Sequence, residues 1–541
     1  MLGAALLAVL TGPASAGTSP AEQAAANAEQ ARRAVAFCHR YAHGWLSLAD
    51  PAGGLLPRNV QKLDQACWNA WDCAADNYPF IVLTAFVTDQ FHLRRAAEFI
   101  LEQEQRLTNR VGRLPDTFCF RRQGFHHPEP LMPWLVFGAA EYAKDGLLPI
   151  AEWLGESPWL DRMEGLLEEL LTRPGEDSPV GPLPSLNDEV NGDLLEVAAR
   201  LCWIRRDARF RDLVWRLGDY YLQDDRLLGS DSIRLRDHGS EVLGGLSEAY
   251  VLAAWEDPAR RDRWKPRLHA LLDRVLEVGA NEDGMLFDAI NPATGEVTAS
   301  GLADTWGYVY NAFLTVAMLD DRPDYRAAVE KVLRSLPRYR GHGWEGQGID
   351  GVADAVEGAI NLLNRVPVAA GFEWVDDEIE RIYQAQGADG VSEGWYGDGN
   401  SARTALMYAL WKSLGISASP WRQDLQLGAV RQDDGTVVVF AGCRWAWSGR
   451  LRFDRPRHRD AMRLPLDYPR INQFPEWFTV EPAARYLVQV GDDPASEVEG
   501  SALRALPLAL EAGQSAVLRI RPVQAPTAAT QTAPAGCAAA T

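Results

Sequence analysis

Asn187-Asp188-Glu189-Val190-Asn191-Gly192-Asp193 opens a segment whose apolar residues then fall at helical spacing, through Ala199, Leu201, Cys202 and Ile204. The helix that follows, over 205–223, is plain, amphipathic and rich in arginine. This alternation recurs along the chain. Polar starts bearing acids and aromatics stand at Trp71-Asp72-Cys73-Ala74-Ala75-Asp76, Arg236-Asp237-His238-Gly239-Ser240-Glu241 and Asp304-Thr305-Trp306-Gly307-Tyr308, and again at Gly348-Ile349-Asp350-Gly351 and Gly397-Asp398-Gly399-Asn400. Plain partners lie at 259–278 and 322–338. In a closed ring of helical hairpins the inner helices all point one way. Polar motifs at their N-termini would then converge on one mouth.

Working outward, the helical period holds from residue 21 to 415, with Gly, Pro, Asn and Asp marking loops such as 174–184 and 281–300. About a dozen to fourteen helices fit, which makes six or seven hairpins. Near Asp424 the period changes to two. Stretches 425–430, 436–440, 450–453, 485–490 and 515–520 alternate as short strands between turn residues. The expected fold is mostly α: an (α/α)6-like toroid over 21–415, followed by an antiparallel β-sandwich over 424–522. An Ala-, Thr- and Pro-rich tail, 524–541, has the composition of a disordered segment. Residues 1–16, ending Ala14-Ser15-Ala16, have the form of a secretory signal, so export to the periplasm or the medium is expected.

Composition narrows the function classes. The chain has 541 residues, 47% hydrophobic and 24% charged, with a formal charge of −20. Such acidity argues against a nucleic-acid partner, which needs clustered Lys and Arg. No apolar run is long enough to span a bilayer, so no membrane partner is expected. Nineteen tryptophans supply flat faces of the kind sugar rings stack on, although most Trp fills core. Seven scattered cysteines lack zinc-type spacing and leave room for at most one or two disulfides. No zincin motif, calcium loop or phosphate loop occurs, so neither metal nor cofactor is expected.

A helical toroid followed by a β-sandwich, with motifs such as Asp304-Thr305-Trp306-Gly307-Tyr308 and Asp237-His238-Gly239-Ser240-Glu241, resembles the (α/α) toroid carbohydrate-active enzymes, the six-hairpin glycosidases and related polysaccharide lyases. The resemblance rests on architecture and motif placement across the chain after its leader, without matching one family. It implies an oligo- or polysaccharide substrate. It also implies a place for Tyr308, since tyrosine serves as acid or base in lyases of this architecture.

The candidate catalytic residues are Glu189, Asp193, His238, Glu241, Asp304 and Tyr308. Glu189 and Asp193 are four apart on one helix face, although acids at a helix start also serve as caps and complement the macrodipole. His238 and Glu241, three apart, can form a His–carboxylate pair suited to proton transfer near neutral pH, or simply a capped, buried histidine. Asp304 and Tyr308 are four apart with Trp306 beside them. Substrate-binding candidates are Trp71, Asp76, Arg236, Trp306, Trp344, Trp395, Tyr396 and Asp398, drawn from inner-helix starts and from two Gly- and aromatic-rich rim loops. His126-His127 with Arg121-Arg122 form a basic, aromatic segment able to meet a carboxylated sugar, or a solvated loop.

Glycoside hydrolysis needs two carboxylates roughly 5 to 10 Å apart, one protonated and one charged. The leading reading is therefore a secreted glycoside hydrolase, with Asp304 beside Trp306 suited to the proton-carrying role and Glu189 to the charged one. A polysaccharide lyase acting on a uronate through His238 or Tyr308 is the alternative, with Arg236, Arg121 or Arg403 neutralising the carboxylate. A non-catalytic sugar-binding toroid would need the aromatic plates without the acids.

Overall fold

The computed structural model describes residues 19–61, 66–393 and 399–523, without the side chains of His238 and Gln347. The expected leader at 1–16, the tail at 524–541, and Trp395, Tyr396 and Asp398 lie outside the described residues.

Seven helices form an inner ring: 70–87, 132–154, Asp188–Arg205, Glu241–Glu256, Trp306–Leu319, Ile349–Leu363 and Gly399–Lys412. Each packs on the next, and the seventh packs back on the first. The chain reaches each through an outer helix, in order Pro20–Ser47, Phe91–Thr108, Pro158–Leu171, Ala208–Leu222, Pro258–Val278, Pro323–Ser335 and Ala369–Ala385. The toroid is therefore built of seven outer–inner pairs among the described residues, the larger of the two counts the sequence allows.

Patterning explains which helices go where. Outer helices such as Pro323–Ser335 bury one stripe, Tyr325, Val329, Val332 and Leu333, and leave charged residues to solvent. In the third inner helix every residue from Val190 to Ile204 is buried, so it has no solvent face to spend on charge alone. Starts are fixed by side-chain caps: Asn187 accepts from the Val190 amide, and Ser19 and Glu22 form a capping box. Glycine lets two inner neighbours touch backbone to backbone. A Cβ on Gly307 would stand 2.5 Å from the Gly358 Cα, bringing the fifth and sixth helices together. Inner helices one and two each contain a π-helical stretch, Ala70–Asn77 and Tyr142–Leu147, and these pack on one another.

The segment 281–300 is a hairpin rather than a plain loop. Phe287–Ile290 pairs with Val297–Leu302 around the Asn291 turn, and Ile233–Arg234 adds a third strand. Its turn residues mask two apolar arms too short to show a period.

After the seventh helix the chain forms two antiparallel sheets, the halves of the C-terminal β-sandwich. One has five strands, ordered Gln426–Arg431, Val437–Gly442, Ser515–Pro522, Arg485–Val490 and Ser496–Glu499; the other has Leu506–Leu510, Trp447–Arg452 and Ser417–Ser419. Between Arg452 and Arg485 the backbone leaves the sheets and plugs the toroid at the C-terminal ends of the inner helices. Tyr468 donates to Glu248 at 2.9 Å, and Arg470 binds Glu152 at 2.7 Å. The buried Arg200 joins Glu248 at 2.6 Å and Glu152 at 3.1 Å, and also donates to the Ile471 carbonyl. One end of the ring is thus closed by a buried ion network, and the end carrying the inner-helix N-termini remains as the mouth.

Candidate functional site at the mouth of the ring

Contacts between inner-helix starts establish the convergence. Arg236, just before the fourth inner helix, holds Glu345 at 2.8 Å and stands 3.6 Å from Asp304. Glu345 precedes the sixth helix and Asp304 the fifth. Asn400, in the first turn of the seventh, donates to Asp350 at 2.7 Å in the first turn of the sixth. The charge of Asp76, on the first helix, acts on Asp350. Five of the seven helices therefore bring polar groups to one cleft.

One turn below the rim lies a second layer. Tyr308 donates to Asp354 at 3.1 Å, and the buried Arg403 both ion-pairs with Asp354 and donates to the Tyr308 oxygen at 3.0 Å. Arg403 also donates to Asn472 at 3.0 Å, and Asn472 donates to Asp145. The tip of the C-terminal plug thus forms part of the cleft floor. Asn472 has a positive φ of 58°, a conformation that asparagine tolerates better than most side chains.

Electrostatics separate the carboxyls into two kinds. Burial pushes Asp304 up to about 8, reinforced by the Asp354 charge and only partly offset by Arg236. Asp350 is also raised well above the ordinary carboxylate range, by burial and then by Asp354 and Glu345. Deeper on the sixth helix, burial pushes Glu357 up to about 7. Asp354, by contrast, carries an arginine ion pair and a tyrosine hydrogen bond. The mouth therefore sets carboxyls raised by burial beside one that is ion-paired to an arginine.

Asp193 and Glu241 occupy a different place. Both surround Lys144, at 3.5 Å and 2.8 Å, together with Asp145 at 2.9 Å. Asp193 is 0% exposed, and its oxygens accept no hydrogen bond among the described residues. Burial and the Glu141 charge raise its carboxyl well above the ordinary value. This cluster is a buried ion pocket shared by the second, third and fourth inner helices. Glu189 lies half-buried one turn nearer the rim than Asp193. The charges that act most on Asp304 come from Asp354, Arg236, Glu345 and Asp237, and not from the third helix.

The tryptophans divide similarly. Trp306 and Trp344 are both 0% exposed. Trp344 packs edge-on against His342, and Trp306 against Tyr310, so neither offers a face to a sugar. Trp306 lies two residues after Asp304 and Trp344 one before Glu345, and that spacing alone does not show which side of a helix start the ring takes. Trp71 is half-buried and pairs with the exposed Trp134 at a centroid distance of 5.6 Å. Among the other candidates, Arg236 and Asp76 are at the mouth, Tyr308 is in the second layer, and His238 belongs to the 3-10 turn Asp237–Ser240.

Asp354, Glu345 and Arg403 are the site residues that motif reading undervalued. The signal is present in the sequence. Asp350, Asp354, Glu357 and Asn361 recur at i, i+4, i+7 and i+11 on an otherwise apolar helix, a polar stripe facing the ring's axis. Among the described residues two groups could hold a metal ion: Cys67 with Cys119 and His126, and His458 with Asp467 and Glu476. Neither includes a residue of the mouth.

No family model and no curated protein matches the chain. Among solved structures it is similar to the GH76A alpha-1,6-mannanase from Salegentibacter sp. HEL1_6, with 13% identity, 70% of this chain and 98% of that chain covered, and a TM-score of 0.40. It is likewise similar to cellobiose 2-epimerase from Spirochaeta thermophila DSM 6192, with 12% identity, 71% and 97% coverage, and a TM-score of 0.42. A GH127 beta-arabinofuranosidase shows 11% identity over 92% of this chain and 78% of its own, at a TM-score of 0.38. The likeness is one of fold.

Proposed function

We propose that this protein is a glycoside hydrolase whose active site is the mouth of the toroid. The observation that carries the reading is the pairing of Asp304, which keeps its proton up to about pH 8, with Asp354, ion-paired to Arg403 and hydrogen-bonded by Tyr308. Glycoside cleavage asks for this division of labour between two carboxyl groups. Asp304 gives its proton to the glycosidic oxygen as the bond to the anomeric carbon breaks. Asp354 stabilises the positive charge that builds on that carbon. Water then adds there, and a proton returns to the site. Arg236 and Glu345 orient Asp304 at the rim. The Ala14-Ser15-Ala16 leader supports an exported enzyme meeting its glycan outside the cytoplasm.

The state of Tyr308 favours hydrolysis over proton abstraction from a uronate. Burial pushes its hydroxyl well above the ordinary tyrosine value despite the neighbouring Arg403, so at neutral pH it donates a hydrogen bond instead of acting as a base. The test is a panel of neutral and uronate-containing glycans assayed in parallel for new reducing ends and for an ultraviolet-absorbing unsaturated product. Reducing ends without absorbance, abolished in Asp304→Asn, support the hydrolase. Absorbance that persists in Asp304→Asn and disappears in Tyr308→Phe overturns it in favour of a lyase.

A further inference from the structure

Beside the first inner helix lies a cavity of about 510 Å³ that the mouth chemistry does not use. Arg58, Arg121, Arg122 and His126 line it, with Trp71 and Trp134 on the apolar side. Its position ties it to the active site. Trp71 is five residues before Asp76 on the same π-helical stretch, little more than one turn away, and Asp76 acts on Asp350 within the mouth.

The cavity's charge runs against that of the whole chain, which is −20. Arg58 is ion-paired with Asp72 at 2.7 Å, and the lining acid Asp116 is already taken by Arg110 at 2.6 Å. Among the described residues no carboxylate pairs with Arg121 or Arg122, and Arg122 instead approaches the Cys119 sulfur at 3.5 Å and His126 Nδ1 at 3.4 Å. Among the described residues, two guanidinium groups without a carboxylate partner therefore face the same space. Their backbone is held in place. They stand in the turn between strands Phe118–Cys119 and Gly124–Phe125, closed by the His126 amide donating to the Thr117 carbonyl at 2.8 Å. Trp134 is 55% exposed and packs beside Trp71, so an aromatic face is open to the cavity.

An anionic group bound by paired guanidiniums, with an apolar ring face against tryptophan, describes a sugar carrying a negative charge. We propose that this cavity is a subsite for an anionic sugar residue, a uronate or a sulfated sugar, of the glycan cleaved at the mouth. The proposal rests on the hydrolase reading for its placement in catalysis, and on the arginines and tryptophans alone for binding.

The experiment separates the two. Full-length protein carrying Asp304→Asn, which prevents turnover, is titrated calorimetrically with methyl glucuronide, glucose 6-sulfate and neutral methyl glucoside. The expected result is that at least one anionic sugar binds roughly tenfold or more tighter than the neutral one, that added salt weakens it, and that Arg121→Gln/Arg122→Gln removes the preference. Whichever anion binds identifies the carboxylate or the sulfate as the recognised group. Both arginines are exposed, so an unchanged melting temperature in the double variant shows that folding is intact; Trp134→Ala provides an independent second lesion. Equal affinity for charged and neutral sugars, or a preference that survives in the double variant, overturns the subsite. Anion binding through the arginines in a chain that cleaves no glycoside overturns the hydrolase reading and leaves the subsite standing.

Discussion

Arg236 stands 3.6 Å from Asp304 while its other nitrogen grips Glu345 at 2.8 Å. The cation is shared, and Asp304 receives only the weaker portion. This is why burial prevails and the carboxyl remains protonated to about 8. A closer, undivided ion pair would have kept Asp304 charged and useless as an acid.

The basic limb of kcat/KM should therefore lie near pH 8, where Asp304 loses its proton. Arg236→Gln removes the group that lowers Asp304, so the limb should move to higher pH. Glu345→Gln removes a negative neighbour and frees Arg236, so it should move lower. A pH–rate profile of the three proteins checks both signs; limbs that stay together would detach Asp304 from proton delivery.

Stability carries the same signature. Folded Asp304 binds a proton that the unfolded chain, with the ordinary value of 3.8, has already released. Its contribution should thus be fully present below about 3.8, fall as pH rises to about 8, and stay flat above. Melting curves of wild type and Asp304→Asn across that window should converge at the acid end and separate toward pH 8, with Asn the more stable.

Lys144 is predicted to be a folding residue. Lys144→Met leaves Asp145 and Glu241 without their buried cation and should cost about 3 to 5 kcal/mol in chemical denaturation. Asp304→Asn should instead cost two to four orders of magnitude in turnover with no loss of stability. A Lys144 variant that melts normally but turns over poorly would move that cluster into the catalytic machinery.

Tryptophan variants should split along exposure. Trp306→Ala and Trp344→Ala empty the core and should each cost about 3 to 5 kcal/mol. Trp71→Ala should raise KM roughly tenfold through lost stacking at little cost to stability. Denaturation and steady-state kinetics on the same proteins distinguish the two outcomes.

Cys67 and Cys119 face each other across paired strands with their sulfurs 2.7 Å apart. A small disulfide such as oxidised glutathione should convert them to a cystine: each reagent molecule leaves as two thiols and the protein loses two hydrogens, visible by mass spectrometry. The closed loop should add about 4 kcal/mol in the chain-entropy account. Cys67→Ser should abolish both changes.

Much of the architecture was legible because it rests on period. Alternation of polar and plain helix starts marks the ring, and a change of period after the last helix marks the sheets. The Asp304 motif is legible for the same reason. What escaped is long-range. Asp193 and Glu241 have the same spacing as surface acids, and only the position of Lys144 on a neighbouring helix reveals the buried pocket. Asp354 sits mid-helix, away from the helix-start motifs, and its role depends on Arg403 and Tyr308 from two other helices. Trp306 and Trp344 look like sugar plates in one dimension because sequence carries no information on which side of a helix start faces solvent.

The plug of residues 453–484 has a consequence for biosynthesis. A ribosome releases all the helices of the ring before it makes Tyr468 and Arg470. Until those two arrive, Glu152, Glu196 and Glu248 have Arg200 as the cation within their layer, and that imbalance cannot be buried. The ring also closes between its first and last helices, with Pro20–Ser47 packed on both Gly399–Lys412 and the strand Gln426–Arg431. The nascent toroid must therefore wait, open and wet, until translation is almost complete. Truncation between residues 412 and 470 would leave a chain with every mouth residue of the inner helices present and no ring in which to hold them.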